Sequence, residues 1–91
     1  MMNTNINEVM KQYFDQLGID PIEFDYDDTK KKFISKESFV YDVNDPEAYF
    51  IVVKLSGNIG TVSIGTSDGT RFVEDEVLGQ IQYEGDHWTN I

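Results

Sequence analysis

The chain has 91 residues, and its 17 acidic residues against seven lysines and arginines give a formal net charge of −10. Such a charge repels nucleic acid and anionic lipid, which argues against a direct nucleic-acid binder and against a protein of the membrane surface. The length predicts a single domain over residues 1–91, and an apolar content of 40% predicts that this domain folds.

The sequence predicts neither a membrane segment nor an export signal. No run approaches the roughly 20 consecutive apolar residues of a membrane span, and residues 1–4 lack the basic start of a signal peptide. The absence of cysteine removes disulfides and thiolate metal sites. We therefore expect a cytoplasmic protein.

Residues 4–18 predict an amphipathic helix. Asn5 and Glu8 have the spacing of a capping box at its start, and Gly18 is placed for a left-handed end. Apolar residues recur on one side of this helix: Ile6, Val9, Met10, Tyr13, Phe14 and Leu17. The polar side carries Lys11 as its only base, which favours packing against a sheet over binding to a membrane.

Short strands and turns are predicted for the rest of the chain. Residues 22–27 alternate between apolar side chains and carboxylates, which is typical of a half-buried strand. Further strands are expected at residues 33–34, 39–43, 71–73 and 81–83, with a turn at residues 44–47. We expect residues 74–79 to form a loop or a short helical turn.

The strongest strand signal is a hairpin over residues 49–66. A two-residue turn at Gly57 and Asn58 collects the apolar side chains on one face by pairing Leu55 with Gly60, Val53 with Val62 and Ile51 with Ile64. A following loop at residues 67–69 would pair Ile64 with Phe72. The predicted class is α+β, with an N-terminal amphipathic helix on one face of a four- to six-stranded, mainly antiparallel meander.

Phe50 and Val52 fall on the opposite face of this hairpin from the main apolar cluster. The C-terminal segment with Trp88 can cover them. If that segment lies elsewhere, the pair is a candidate surface for dimerisation. We therefore expect a monomer or a weak homodimer.

No catalytic, metal or cofactor signature is present. The only histidine, His87, has no accompanying serine motif. Asp25, Asp27 and Asp28 resemble the start of a calcium loop, but Lys30 and Lys36 occupy the positions of its glycine and glutamate. We expect no enzymatic activity, no metal and no cofactor.

The acidic residues are clustered, which makes them the candidate site. Alternation along residues 22–27 predicts a row of carboxylates spaced about 6.6 Å apart, comparable to the anions of a nucleic-acid backbone. The candidate partner-binding residues are Glu23, Asp25, Asp27, Asp28, Asp42, Asp45, Glu47, Glu74, Asp75 and Glu76. The alternative is a solvated face that protects sheet edges from aggregation.

In size, acidity and α+β design, the chain resembles two groups of bacterial inhibitors. One comprises phage proteins that block restriction or CRISPR nucleases, some of them as DNA mimics, and the other comprises immunity proteins that neutralise toxins. The resemblance implies a non-enzymatic inhibitor that binds a basic protein, such as a nuclease, on its nucleic-acid-binding surface. An immunity protein against a nuclease toxin and a small structural or regulatory dimerisation module are the alternatives.

Overall fold

The computed structural model describes residues 6–42, 44–67 and 71–91, with only the backbone described at Tyr41, Asp42 and Asp45. Two short helices are present, α1 (Ile6–Val9) and α2 (Lys11–Leu17). The strands are β1 (Phe24–Asp27), β2 (Lys32–Ser35), β3 (Phe39–Asp42), β4 (Asp45–Ser56), β5 (Ile59–Ser67), β6 (Phe72–Glu84) and β7 (His87–Asn90).

The molecule is mostly an antiparallel sheet that curls. Its strand order is β1-β2-β4-β5-β6-β7, and β3 pairs with β4 outside this path. Every one of these pairings is antiparallel. The predicted combination of a helix and an antiparallel sheet is matched only in part, because the sheet dominates and both helices are short. The prediction of four to six strands is wrong, because the described part of the chain alone forms seven.

The predicted helix is interrupted at Met10, which lies between α1 and α2 with ψ of −8°. The N–H of Tyr13 donates to the carbonyl of Met10 at 2.9 Å, a tighter turn than an α-helix makes. Gly18 adopts φ of 70°, which confirms the predicted left-handed end. Asn5 lies outside the described residues. Neither described helix has the length and apolar character needed to span a membrane.

We call the side of the sheet that carries Ile51, Val53, Val62 and Ile64 the core face, because all four side chains are fully buried there. The apolar side of the helical region packs on this face, as predicted from its periodicity. Its members belong to one cluster with the sheet residues: Ile6, Val9, Met10, Tyr13 and Phe14. Helix and sheet therefore build the main core together.

The β4–β5 hairpin has the predicted register. Leu55 pairs with Gly60 and Ile51 pairs with Ile64 across the turn. Gly57 in that turn has φ of 61°, a conformation that glycine adopts without strain. The apolar pattern was sufficient here because a slip of one residue would move every side chain to the wrong face.

Two expectations about turns and registers are wrong. Residues 74–79 belong to β6 rather than to a loop, and Ile64 pairs with Glu76 rather than with Phe72. The pairing skips Asp75 and Leu78, so the strand contains two bulges. Each bulge breaks the alternation of apolar and polar residues, which removes the sequence signal of a strand.

The predicted turn at residues 44–47 is also too long. Asp45 already begins β4, and its backbone pairs with Asp42 of β3, so the reversal is tighter than expected. The C-terminal residues form a further hairpin, in which Trp88 of β7 pairs with Tyr83 of β6.

Candidate functional site

Strand β1 carries its carboxylates away from the core, as predicted. Phe24 and Tyr26 pack against the buried cluster, whereas Asp25 is exposed and Asp27 is half-buried. Because β1 is the terminal strand of the sheet order, these carboxylates lie along a sheet edge.

The carboxylates around β1 are partly neutralised by the chain's own lysines. The Nζ of Lys36 lies 3.4 Å from Oε2 of Glu23 and 3.8 Å from Oδ1 of Asp25. The Nζ of Lys31 lies 3.1 Å from Oδ1 of Asp28, and this hydrogen bond and charge raise the pKa of Lys31. Ion pairs this exposed contribute little stability, so another cation can replace the lysine.

Asp27 has a structural contact in the β1–β2 turn. Its Oδ1 accepts the backbone N–H of Lys30 at 3.1 Å. Lys31 follows with φ of 52°, a left-handed conformation that is uncommon for a residue other than glycine. This hydrogen bond is typical of a turn held by an aspartate side chain.

The acidic triplet Glu74, Asp75 and Glu76 has a different environment. All three side chains are exposed, and none forms an ion pair within the described part of the chain. Strand β7 pairs only with the last part of β6, from Ile81 to Glu84. The triplet therefore lies on a stretch of β6 whose outer edge has no neighbouring strand among those described.

The ten predicted residues come from three parts of the chain, which are the β1 region, the β3–β4 turn and β6. Strand β1 lies four strand positions from β6, which is roughly 19 Å along the sheet at about 4.8 Å per strand. The β1 carboxylates and the β6 triplet therefore occupy different edges. Asp42 and Asp45 pair at the β3–β4 turn, where Glu47 is exposed nearby in sequence.

We call the side of the sheet opposite the core face the back face. One row of paired residues on it runs through Asp25, Ile34, Val52, Ser63 and Val77. Val52 and Ser63 are fully buried, and the hydroxyl of Ser63 has no hydrogen-bond partner in the described part of the chain. The centre of the back face is therefore covered.

Phe50 and Val52 do not form the open apolar pair that the dimerisation hypothesis requires. Phe50 is half-buried and Val52 is fully buried. Trp88 does not cover them, because its ring belongs to the core-face cluster and lies 6.3 Å from the ring of Phe33. The expectation that the segment with Trp88 covers this pair is therefore wrong.

The start of β6 adds one aromatic side chain, that of Phe72, to the back face. A Cβ on Gly65 would overlap the carbonyl oxygen of Val73 and would lie 2.8 Å from Cζ of Phe72, so only glycine allows β6 to approach this closely. The ring of Phe72 also lies 6.0 Å from the Nζ of Lys32 on β2. The ring of Phe72 therefore lies between Gly65 of β5 and the side chain of Lys32 on β2.

A groove of about 160 Å³ lies between Phe72 and the β1–β2 turn. Its lining residues are Asp27, Lys30, Lys32, Ile34, Ser67, Arg71 and Phe72. The sequence did not predict this groove. The run of three lysines was the available signal, but nothing local indicated that Arg71 would join it.

The described residues contain no assembled metal centre, since no group of three histidine or carboxylate side chains is placed to hold an ion. His87 is exposed, and its Nδ1 lies 3.1 Å from Oδ1 of Asp86. This hydrogen bond, together with the charge of the protonated imidazole, lowers the pKa of Asp86.

Comparison with known proteins gives no family assignment. No protein-family model, curated protein or solved structure matches the chain. The functional interpretation therefore depends on the charges and contacts of the chain itself.

Proposed function

We propose that this chain is a non-enzymatic acidic inhibitor that binds the basic, nucleic-acid-binding surface of a partner protein. The observation that carries this proposal is the exposed triplet Glu74, Asp75 and Glu76, which has no internal cation in the described part of the chain. The preferred partner class is a restriction or CRISPR nuclease.

A bulged strand is a suitable support for such a triplet. The bulge at Asp75 separates Glu74, which pairs with Gly65, from Glu76, which pairs with Ile64. The backbone of all three residues is held in the sheet, so binding does not have to order a flexible loop. Fixed anions with a complementary cationic surface raise the association rate and make the affinity salt-dependent.

The carboxylates of β1 are a secondary contact in this proposal. Glu23 and Asp25 share Lys36, whose side chain is itself 47% exposed. An arginine of a partner can displace such a lysine at little cost, because exposed ion pairs contribute only about 0–1 kcal/mol. The β6 triplet needs no such exchange, so we place the main contact there.

The test is a DNA-binding assay on a panel of restriction, CRISPR and toxin nucleases. The purified protein is added, and fluorescence anisotropy reports how much of each nuclease remains bound to labelled DNA at low and high salt. We expect competition that weakens as salt rises. Inhibition confined to toxin nucleases would support the immunity protein and contradict the preferred partner class.

Charge-reversal variants locate the surface. Glu74→Lys with Glu76→Lys should weaken inhibition at least tenfold, since it replaces attraction by repulsion. Glu8→Lys with Asp15→Lys is the matched control, because both side chains are exposed on the helical region and the change in net charge is the same. An equal loss in both variants would show an effect of net charge alone, and inhibition of no nuclease would overturn the proposal.

A further inference from the structure

We propose that the back-face groove binds a small oxyanion, a phosphate or a carboxylate, that is attached to a flat apolar ring. This inference does not depend on the acidic inhibitor function. It concerns a different surface with the opposite charge.

The lining of the groove is cationic although the chain as a whole is strongly anionic. Lys30, Lys32 and Arg71 line it together with one carboxylate, that of Asp27. These are three of the seven basic residues in a chain of net charge −10. The cations come from two distant segments, the β1–β2 turn and the start of β6, and the curl of the sheet brings them together.

Two of these cations are available to a ligand. Neither Lys30 nor Lys32 forms an ion pair with a carboxylate in the described part of the chain. The carboxylate of Asp27 is engaged by the backbone N–H of Lys30, which offsets part of its charge. Lysine ammonium groups bind phosphate and carboxylate oxygens as point charges.

The rest of the lining suits an apolar ring. Ile34 and Phe72 are half-buried in the groove wall, and the face of Phe72 already accepts a cation at 6.0 Å, the Nζ of Lys32. A volume of about 160 Å³ is close to that of a protein cavity of about 150 Å³ that admits benzene. A ring packed against Ile34 and the edge of Phe72 would place an attached anion beside the lysines.

The surrounding negative charge sets the kind of ligand that can bind. At long range the net charge of −10 repels any anion, so attraction must come from direct contacts inside the groove. Charge alone or the ring alone gives only part of these contacts. We therefore expect a ligand with both groups to bind more tightly than a ligand with either one.

The experiment is a titration of the ¹⁵N-labelled full chain, in which NMR records the amide chemical shifts at each ligand concentration. The probes are phenyl phosphate, benzoate, inorganic phosphate and phenol. We expect saturable shifts at the groove residues with phenyl phosphate or benzoate, and affinities at least threefold weaker with inorganic phosphate and with phenol. The tighter of phenyl phosphate and benzoate identifies the natural oxyanion as a phosphate or a carboxylate.

Variants tie these shifts to the groove. Lys30→Gln and Lys32→Gln should each weaken binding at least threefold, whereas Lys11→Gln, a matched change on exposed α2, should leave it unaltered. The proposal is overturned if neither phenyl phosphate nor benzoate gives saturable shifts, or if Lys11→Gln weakens binding as much as Lys32→Gln. It is also overturned if inorganic phosphate or phenol binds as tightly as phenyl phosphate and benzoate do.

Discussion

The core face of the sheet is covered by the two helices, whereas the back face carries the ring of Phe72 and an open groove. On the core face, Met10 and Phe14 are buried among fully enclosed strand residues. On the back face, Phe72 is only half-buried and lines a groove together with lysines. The two faces of the sheet therefore differ in how deeply their aromatic side chains are buried.

The helices and β6 contact the sheet in different ways. A helix covers a sheet through its apolar periodicity, and each of its turns adds buried area. On the back face, β6 lies beside β5 within the sheet, and Gly65 permits a close approach of its backbone. The hydroxyl of Ser63 on the same face is buried without a partner in the described part of the chain.

Truncating one aromatic ring on each face gives the largest expected effect. Phe14→Ala should lower the free energy of unfolding by about 4 kcal/mol, as expected for a phenylalanine in a main core. Phe72→Ala should cost about 2 kcal/mol, because its half-buried ring has less contact to lose. Urea unfolding measures both, and equal losses would contradict the difference between the faces.

The close approach on the back face is tested by Gly65→Ala. The added methyl group overlaps the backbone of Val73, which cannot move aside alone, so we expect a loss of about 3 kcal/mol. Gly18→Ala is the control, because its left-handed φ costs about 1–2 kcal/mol but no atom would contact the methyl group. Thermal and urea unfolding of both variants should show the larger loss at Gly65. A smaller loss there would mean that β6 does not need this contact.

The smallest expected effect is a gain of stability. Ser63→Ala should raise the free energy of unfolding by about 1 kcal/mol, because it removes a buried hydroxyl that has no described partner. Ser35→Ala is the matched control and should lower it by about 2 kcal/mol, since Ser35 Oγ accepts the N–H of Ile51 at 3.1 Å. If urea unfolding shows that both variants change the free energy of unfolding in the same direction, this explanation is contradicted.

The sequence predicted that acidic residues such as these are exposed, but it did not predict which of them form ion pairs. Glu23 and Glu74 are both exposed acids, and nothing in the local pattern separates them. Lys36 lies beside Glu23 because β1 and β2 pair across the intervening turn, a contact that involves residues 13 positions apart. No comparable cation reaches Glu74 within the described part of the chain.

The apolar periodicity of the sequence by itself determined the helical stripe on the core face and the register of the β4–β5 hairpin. Both depend on residues close in sequence, for which spacing and turn chemistry are sufficient information. Only the tertiary structure decided the course of β6 and the groove that Phe72 and Arg71 form with the β1–β2 turn. These depend on bulges that break the alternation and on contacts between distant segments, such as Lys32 with Phe72, which no local pattern encodes.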